Sequence, residues 1–347
     1  MENLVNKKFW ENKKVLVTGH TGFKGSWLSY ILSDLKSKVH GLSLRNKNYE
    51  SFYHKLNVGK CIISEKFLDI NNLILCKKYI KKINPQIAFH FAAQPLVIDS
   101  YENPLYTLNT NILGTANILE ALRNVKSLKC VIIVTSDKCY LNIDKKLKFF
   151  NESDPLGGYD PYSGSKAAAE LISTIYQKSF FFKNKVNLAT VRAGNVLGGG
   201  DFADNRIFVD IIKSLNTKKK LLLRNPKSIR PWQHIIDLLR GYIILCQNLY
   251  SNKSYIGAWN FGPNKSNIKN VLQLLSETEK SLGKINFSIK RSNLKESKLL
   301  GLSIKKSKEK LKWRPIINFS KTIKLTSEWY LSKNKKDITQ KQIKEFL

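Results

Sequence analysis

Lys14-Val-Leu-Val-Thr-Gly-His-Thr-Gly-Phe-Lys-Gly25 decides the fold of this 347-residue chain: a short apolar run passes without a break into glycines spaced G-x-x-G-x-x-G. The run Lys14–Thr18 reads as a buried strand and Phe23–Leu35 as a helix. Gly19, Gly22 and Gly25 then serve three needs: a sharp turn, close approach of a diphosphate to backbone amides, and tight packing of helix on sheet. Glycines also make plain turns. Their place after the first strand and at the mouth of a helix makes this turn, with Thr21, Phe23 and Lys24, a dinucleotide site. His20 reads as a turn residue rather than a catalyst.

Outward from the turn, apolar runs of strand length alternate with helical patterns: strands at Lys38–Leu42, Gln86–Phe91 and Lys129–Val134, helices at Asn72–Ile83 and Leu105–Arg123. Near-continuous apolar strands alternating with helices predict a parallel sheet covered on both faces, an α/β fold of the Rossmann-like, doubly wound kind. A helix follows Pro161 to about Phe182, then a strand at Val186–Arg192. Beyond it the alternation loosens: a Gly run at 198–200, a short strand at Lys218–Leu223, a helix at Gln233–Gln247, a strand-like Trp259–Gly262, and helices near 268–282 and 319–332. The expected organisation is a cofactor domain at 1–192 carrying the catalytic residues, and a smaller C-terminal α/β substrate lobe at 193–347 with some segments returning to the first domain. The Lys-rich end, 333–347, reads as a frayed tail or a last helix.

The net charge is +33, which invites a nucleic-acid reading. Of the 59 basic residues only nine are Arg, and the Lys are scattered in ones and twos. Base and phosphate recognition favours the planar Arg fork, so a Lys-rich solvated surface is the better account and no nucleic-acid partner is expected. Five widely spaced Cys, with no CxxC pair and no Cys/His cluster, argue for a reducing compartment and against a structural metal. No apolar run reaches membrane-spanning length and the N-terminus has no signal-peptide pattern, so a cytoplasmic protein is expected.

The second constellation is Tyr162-Ser-Gly-Ser-Lys166, which puts Tyr and Lys four apart on one helix face. Upstream, Ser136-Asp137-Lys138 follows a strand at the carboxyl edge of the sheet, where ligands bind in such folds. A neighbouring ammonium favours the phenolate. Tyr162 is thereby a candidate base for a substrate hydroxyl whose oxygen Ser136 holds. At the end of the second strand Ser43, Leu44 and Arg45 offer no carboxylate for a ribose. Arg45 suits a 2′-phosphate, hence NADP, and suits a plain surface base as well.

In this order the motifs resemble the extended short-chain dehydrogenase/reductase family: TGHTGFKG (18–25), HFAAQPLV (90–97), NTNILGT (109–115), VTSDKCY (134–140), GGYDPYSGSKAAAE (157–170), VRAGNVLGGGD (191–201) and RNPKSIRPWQHIID (224–237). Within it the chain is most similar to a branch of the nucleotide-sugar 4,6-dehydratases, with Lys138 as the sharpest local mark because related nucleotide-hexose dehydratases carry Glu at that place. The resemblance implies a lyase with tightly held NAD, recycled in each turnover: oxidation at sugar carbon 4, loss of water across carbons 5 and 6, and reduction at carbon 6. Tyr162 would take the 4-hydroxyl proton, Asp137 protonate the departing 6-hydroxyl, and Lys138 remove the proton at carbon 5. A free Lys titrates near 10.4, too high for that task, so burial, Lys166 and the cationic nicotinamide are expected to lower it.

The same resemblance implies cofactor contacts from Asp69, Ile70, Phe91, Ala92, Ala93 and Asn111, with Tyr162 and Lys166. Asn111 and Gly114 would orient the catalytic group. Substrate contacts are expected from Gln94 with Pro95, Asn195, and Arg230 on the diphosphate, with Arg206 and Arg224 as weaker candidates for the same wall. His234 is expected to be packed rather than catalytic. CDP-glucose is the expected substrate, with dTDP and GDP sugars left open because Arg291–Trp313, through Lys295, Ser297 and Ser303 beside Glu296, departs from the family pattern. A homodimer through Leu105–Arg123 and 162–182 is expected from the family alone. A 4-epimerase or a decarboxylase on the same fold and a non-catalytic binding protein are the competing readings. Asp137-Lys138 opposes the first; intact Ser136, Tyr162 and Lys166 oppose the second.

Overall fold

The computed structural model describes residues 4–142, 148–289 and 300–347. Seven strands form one sheet: β1 (Lys14–Thr18), β2 (Lys38–Ser43), β3 (Ser64–Phe67), β4 (Ile87–His90), β5 (Cys130–Val134), β6 (Asn187–Ala193) and β7 (Gly257–Phe261). Their spatial order is β7-β6-β5-β4-β1-β2-β3, and every pairing is parallel. The order reverses between β1 and β4, and that switch point opens the crevice at the strands' carboxyl ends. β7, far along the chain, completes the sheet beside β6, with Trp259 opposite Val191.

Successive strand side chains point to opposite faces, and the core divides accordingly. Val15 and Val17 of β1, Ile87 and Phe89 of β4, and Ile132 of β5 join one cluster; Leu16, Ala88, Val131 and Ile133 join the other. The first face is covered by α1 (Phe23–Asp34) and the long α5 (Ile235–Leu249), the second by α2 (Leu73–Ile83) and α3 (Gly114–Leu122). A third cluster, with Leu197, Phe208, Trp232, Leu274 and Ile323, is drawn from the chain beyond β6.

The helix expected over Leu105–Arg123 is helical throughout but not uniform. Pro104–Leu108 leads into a π-helical turn, Asn109–Leu113, and then α3. The helix after Pro161, α4 (Pro161–Tyr176), runs into a π turn at Gln177–Phe181. Periodicity does not register a single wide turn, which often marks a functional site. Residues 335–346 form a helix rather than a frayed tail. Before it lies α6 (Phe319–Leu331), whose last carbonyls, of Trp329 and Tyr330, accept from the Lys335 ammonium. No helix among the described residues is long and apolar enough to cross a membrane.

Candidate active site

The Gly-rich turn has the geometry its spacing demands. Gly19 has φ +72°, and a Cβ there would come within 2.7 Å of the Ala92 amide nitrogen; one at Gly25 would collide with the Gly19 carbonyl. Gly22 caps α1 without a side-chain bond, leaving the first-turn amides open toward the crevice. An anion suits amides so placed. Thr21 closes the turn onto the end of β2, its hydroxyl 2.8 Å from that of Ser43. His20 is fully buried, with Nε2 2.9 Å from Glu65, and burial depresses its pKa. Arg45 lays its guanidinium over the Phe67 ring at 4.3 Å.

The turn is braced from below by a residue to which the HFAAQPLV motif (90–97) gave no role. His90, at the end of β4, lies 2.7 Å from Thr18 Oγ1 through Nδ1 and 3.1 Å from Thr115 Oγ1 through Nε2. Burial and the Lys166 charge push its pKa down to about 3, so the ring stays neutral. Thr115 donates to the Asn111 carbonyl (2.7 Å), which leaves its oxygen to accept from His90 Nε2–H. One ring thus ties β1, β4 and α3 together under the crevice.

Asn111 sits in the π turn. Its Oδ1 accepts from the Gln94 amide at 2.8 Å, and its Nδ2 donates to the Gln94 carbonyl and to Ser165 Oγ at 2.9 Å. The Gln94 side chain is engaged in its own loop, donating to Leu96 O and Thr107 Oγ1, both at 2.9 Å. It lies off the cavity wall, which Pro95 and Leu96 line instead. Asp69 turns its loop by accepting from the Asn71 amide at 2.8 Å, and Ile70 packs against Gly114 where a Cβ would clash.

A cavity of about 260 Å³ opens over the carboxyl ends of β5 and β6. Ser136, Asp137, Lys138 and Tyr162 line it together with Phe23 and Lys24 of the turn. Ser136 donates to Asp137 Oδ1 (3.1 Å), accepts from the Lys138 amide (3.2 Å), and stands beside the Tyr162 phenol, whose pKa it pulls down. Burial pushes Tyr162 up to about 12, against the pull of Ser136 and the Arg206 charge. Lys166 donates to the Val134 carbonyl at 3.3 Å, and burial with the Lys24 charge brings it down to about 8. Burial raises the Asp137 carboxyl pKa against Lys138, Ser136, Lys24 and Arg230.

All four expected substrate residues of the C-terminal lobe, Asn195, Arg206, Arg224 and Arg230, line this cavity. Each arginine faces an acid: Arg206 the Asp201 carboxylate, Arg224 Asp210, and Arg230 Asp137. Asp201 also faces Lys24, accepts from the Ala203 amide at 3.2 Å, and through its carbonyl receives the Tyr330 hydroxyl at 2.5 Å. Asp201 stands directly after the Gly198–Gly200 run and was legible there. Tyr330, on a helix about 130 residues later, had no signal. Gly194, also on the wall, is needed by Asp137, because a Cβ there would lie 2.9 Å from Asp137 Oδ2. His234 is fully buried and caps α5 through Nδ1. Arg291, Lys295, Glu296 and Ser297 lie outside the described residues, and Ser303 instead donates its amide to Phe150 O.

Behind the site, Glu170 on α4 accepts from Thr135 and Thr190 and holds Arg192 through Nε and Nη2 at 2.9 and 2.8 Å. Both partners are almost wholly buried. This pair fixes the residue before Ser136 to the helix that carries Tyr162 and Lys166.

A dinucleotide-type turn facing a Ser/Tyr/Lys group, with an acid and a second Lys beside it, defines a nucleotide-sugar-modifying member of the short-chain dehydrogenase/reductase class. The chain belongs to the family described as GDP-mannose 4,6 dehydratase, whose model matches residues 16–326. It is 38% identical over 335 residues to the CDP-glucose 4,6-dehydratase of Salmonella typhimurium, covering 94% of this chain and 93% of that one. Among solved structures, UDP-glucose 4-epimerase of Thermotoga maritima superposes with a TM-score of 0.80 at 19% identity, over 91% of this chain and 98% of that one. The dTDP-glucose 4,6-dehydratase of Bacillus anthracis, solved in complex with NAD, gives 0.74 at 23%, over 91% and 96%. At such identities the last two speak to the fold alone.

Proposed function

We propose that this protein is an NAD-dependent hydro-lyase that converts CDP-glucose to CDP-4-keto-6-deoxyglucose. The observation that carries this reading is the Ser136-Asp137-Lys138 turn, which lines one cavity with Tyr162 and with Arg206, Arg224 and Arg230. The 38% likeness to a CDP-glucose 4,6-dehydratase supports the choice of substrate.

The Gly19–Gly25 cradle fits a dinucleotide diphosphate, since each close approach there excludes a Cβ. Thr21, Phe23 and Lys24 would flank the diphosphate, Asp69 and Ile70 the adenosine end, and Phe91, Ala92, Ala93 and Asn111 with Tyr162 and Lys166 the nicotinamide end. The chemistry supplied by that group is reversible hydride transfer, out of sugar carbon 4 and back at carbon 6. Tyr162 takes the proton of the 4-hydroxyl while Ser136 holds the oxygen. The resulting ketone acidifies the proton at carbon 5, which Lys138 removes, and Asp137 protonates the departing 6-hydroxyl so that it leaves as water. Burial keeps the Asp137 proton available for that step. Arg230, with Arg206 and Arg224, takes the substrate diphosphate, and Asn195 bonds the sugar end. In this reading residues 193–347 are mainly the substrate lobe, although Gly257–Phe261 completes the cofactor sheet.

The outer face of the two long helices exposes Leu105, Leu113, Leu171, Ile175 and Phe182. That apolar stripe supports a homodimer, which light scattering on the purified protein tests. Five free thiols suit the reducing cytoplasm, where we place the enzyme. The deciding experiment incubates the protein separately with CDP-, dTDP-, GDP- and UDP-glucose and reads loss of one water by mass spectrometry. Dehydration of CDP-glucose ahead of the others is expected; no dehydration of any would overturn the reading, and interconversion of 4-epimers without water loss would favour the epimerase.

A further inference from the structure

Asp137 occupies an unusual position in this site. Its carboxylate is nine-tenths buried, with Gly194 and the Pro231 ring closing on Oδ2, so that a Cβ on Gly194 would come within 2.9 Å of both Oδ2 and Pro231 Cγ. Yet it is ringed by three cations from three different elements. Lys138 adjoins it in its own turn, Lys24 reaches it from α1, and Arg230 from the strand Ile229–Pro231. The other titratable groups facing it are Tyr162 on α4, Cys139 in its own turn, and Tyr242 on α5. Burial holds all three of these above their ordinary range, so they stay neutral at and below neutral pH. Burial therefore favours the protonated acid and the cations favour the carboxylate. The balance depends on charges that a diphosphate would neutralise.

We propose that capture of the substrate diphosphate on Arg230 and the loading of a proton onto Asp137 are one coupled event. The idea deepens the function proposed above and rests on it for the identity of the ligand. Free enzyme holds Asp137 partly as the carboxylate, favoured by the charges of Lys138, Lys24 and Arg230. A diphosphate diester brings two negative charges to the same cations and cancels their pull. Asp137 then takes one proton from solvent. That proton later passes to the departing 6-hydroxyl, the carbon 6–oxygen bond breaks, and water leaves, while the carbon 5 proton goes to Lys138 in its amine form, the ammonium having first given one proton to solvent. Asp137 ends the step as a carboxylate, ready to be reloaded. The acid is armed by the ligand that needs it.

Cancelling one unit charge several ångströms away, at an effective dielectric of about 20, shifts a carboxyl by roughly 1.5 pH units. A shift of that size predicts a maximum uptake of about 0.7 proton per site, midway between the free and bound titrations. The sign is uptake, because the ligand stabilises the protonated form.

The test is isothermal titration of NAD-saturated protein with CDP-glucose, in buffers of different ionisation enthalpy, from weakly acidic to neutral pH. Turnover is blocked by Tyr162→Phe in every arm. Lys24 and Lys166, brought down only to about 8, stay fully charged at the acidic end of that range and contribute no uptake there. The parent is expected to take up protons on binding, the added Asp137→Asn to bind with no uptake, and the added Arg230→Met to bind more weakly with at least half of the uptake gone. Arg230→Lys is expected to restore it. Binding without uptake in the parent, or uptake that persists in Asp137→Asn, overturns the coupling while leaving the function standing. Binding of no nucleotide sugar overturns both. Infrared difference spectra of the parent, read for a protonated-carboxyl band appearing on ligand addition, detect the same proton without recourse to the Asp137 variant; no new band refutes the proposal.

Discussion

Glu170→Gln is the sharpest test of how the catalytic elements are held. The carboxylate accepts four bonds, from Thr135, Thr190 and two nitrogens of Arg192, all inside the molecule. Side-chain exposure is 3% for Glu170 and 4% for Arg192, so water cannot replace what is lost. Removing the negative charge leaves the buried guanidinium uncompensated, with one amide oxygen of the substituted side chain, the Tyr140 hydroxyl and the Glu152 carbonyl as its neutral acceptors. Breaking a buried pair this way costs about 3–5 kcal/mol. For 347 residues at about 2.1 cal/mol/K each, that is a fall in Tm of roughly 4–7 °C. Replacing both partners, Glu170→Met with Arg192→Met, removes the stranded charge, and most of the loss should return. Calorimetric melts of the single and double variants decide it. A double variant that melts no higher than Glu170→Gln, or a single variant within about 1 °C of the parent, refutes the view that the cost is the uncompensated Arg192. The double variant is also expected to keep a reduced kcat at nearly unchanged KM, because Thr135 loses its anchor beside Ser136 while the cavity arginines are untouched.

Gly194→Ala places a Cβ 2.9 Å from Asp137 Oδ2 and should lower kcat by roughly 10- to 100-fold through displacement of the acid, with little change in substrate affinity; steady-state kinetics showing an unaltered kcat would contradict it. His90 and His234 are held neutral, each brought down to about 3, whereas the unfolded chain takes up these protons near 6.5. Acid therefore favours the unfolded state: stability is complete above about pH 6.5 and falls by about 2 kcal/mol per histidine by pH 5, which urea titrations at the two pH values would read, equal midpoints being the contrary result. Lys166 and Lys24 lose charge as pH rises through about 8, so kcat/KM should decline on that side; a profile still rising toward the ordinary lysine range near 10.4 would show that neither charge matters.

The parts of the site that local sequence could announce are those in which one segment carries its own chemistry. The turn after β1 needs glycine because Ala92 and the Gly19 carbonyl stand where side chains would be, and Tyr162 and Lys166 meet because a helix brings residues four apart together. The residues that went unread act across distance. Glu170 stood in the quoted AAAE motif, but its partners come from two neighbouring strands, and nothing local distinguishes it from a solvent-facing helix carboxylate. His90 takes its meaning from Thr18 and Thr115, 72 and 25 residues away. Tyr330 reaches Asp201 across 129 positions. Gln94 is the opposite case: its position at a strand end points to the pocket, while its amide donates to Leu96 and Thr107, only two and thirteen residues on.

Charge was hardest to read, because the sum of +33 conceals its arrangement. Lysines dominate the total, yet the cavity wall takes three of the nine arginines and sets a carboxylate against each. A wall of unopposed cations would bind any polyanion. Opposed cations bind only a ligand able to outcompete Asp201, Asp210 and Asp137 at their own positions, as a diphosphate with correctly spaced oxygens can. The surface excess then adds to the encounter rate of anionic ligands, an effect that salt should erode. In the function proposed above, selection falls to the few arginines whose charge is already spoken for.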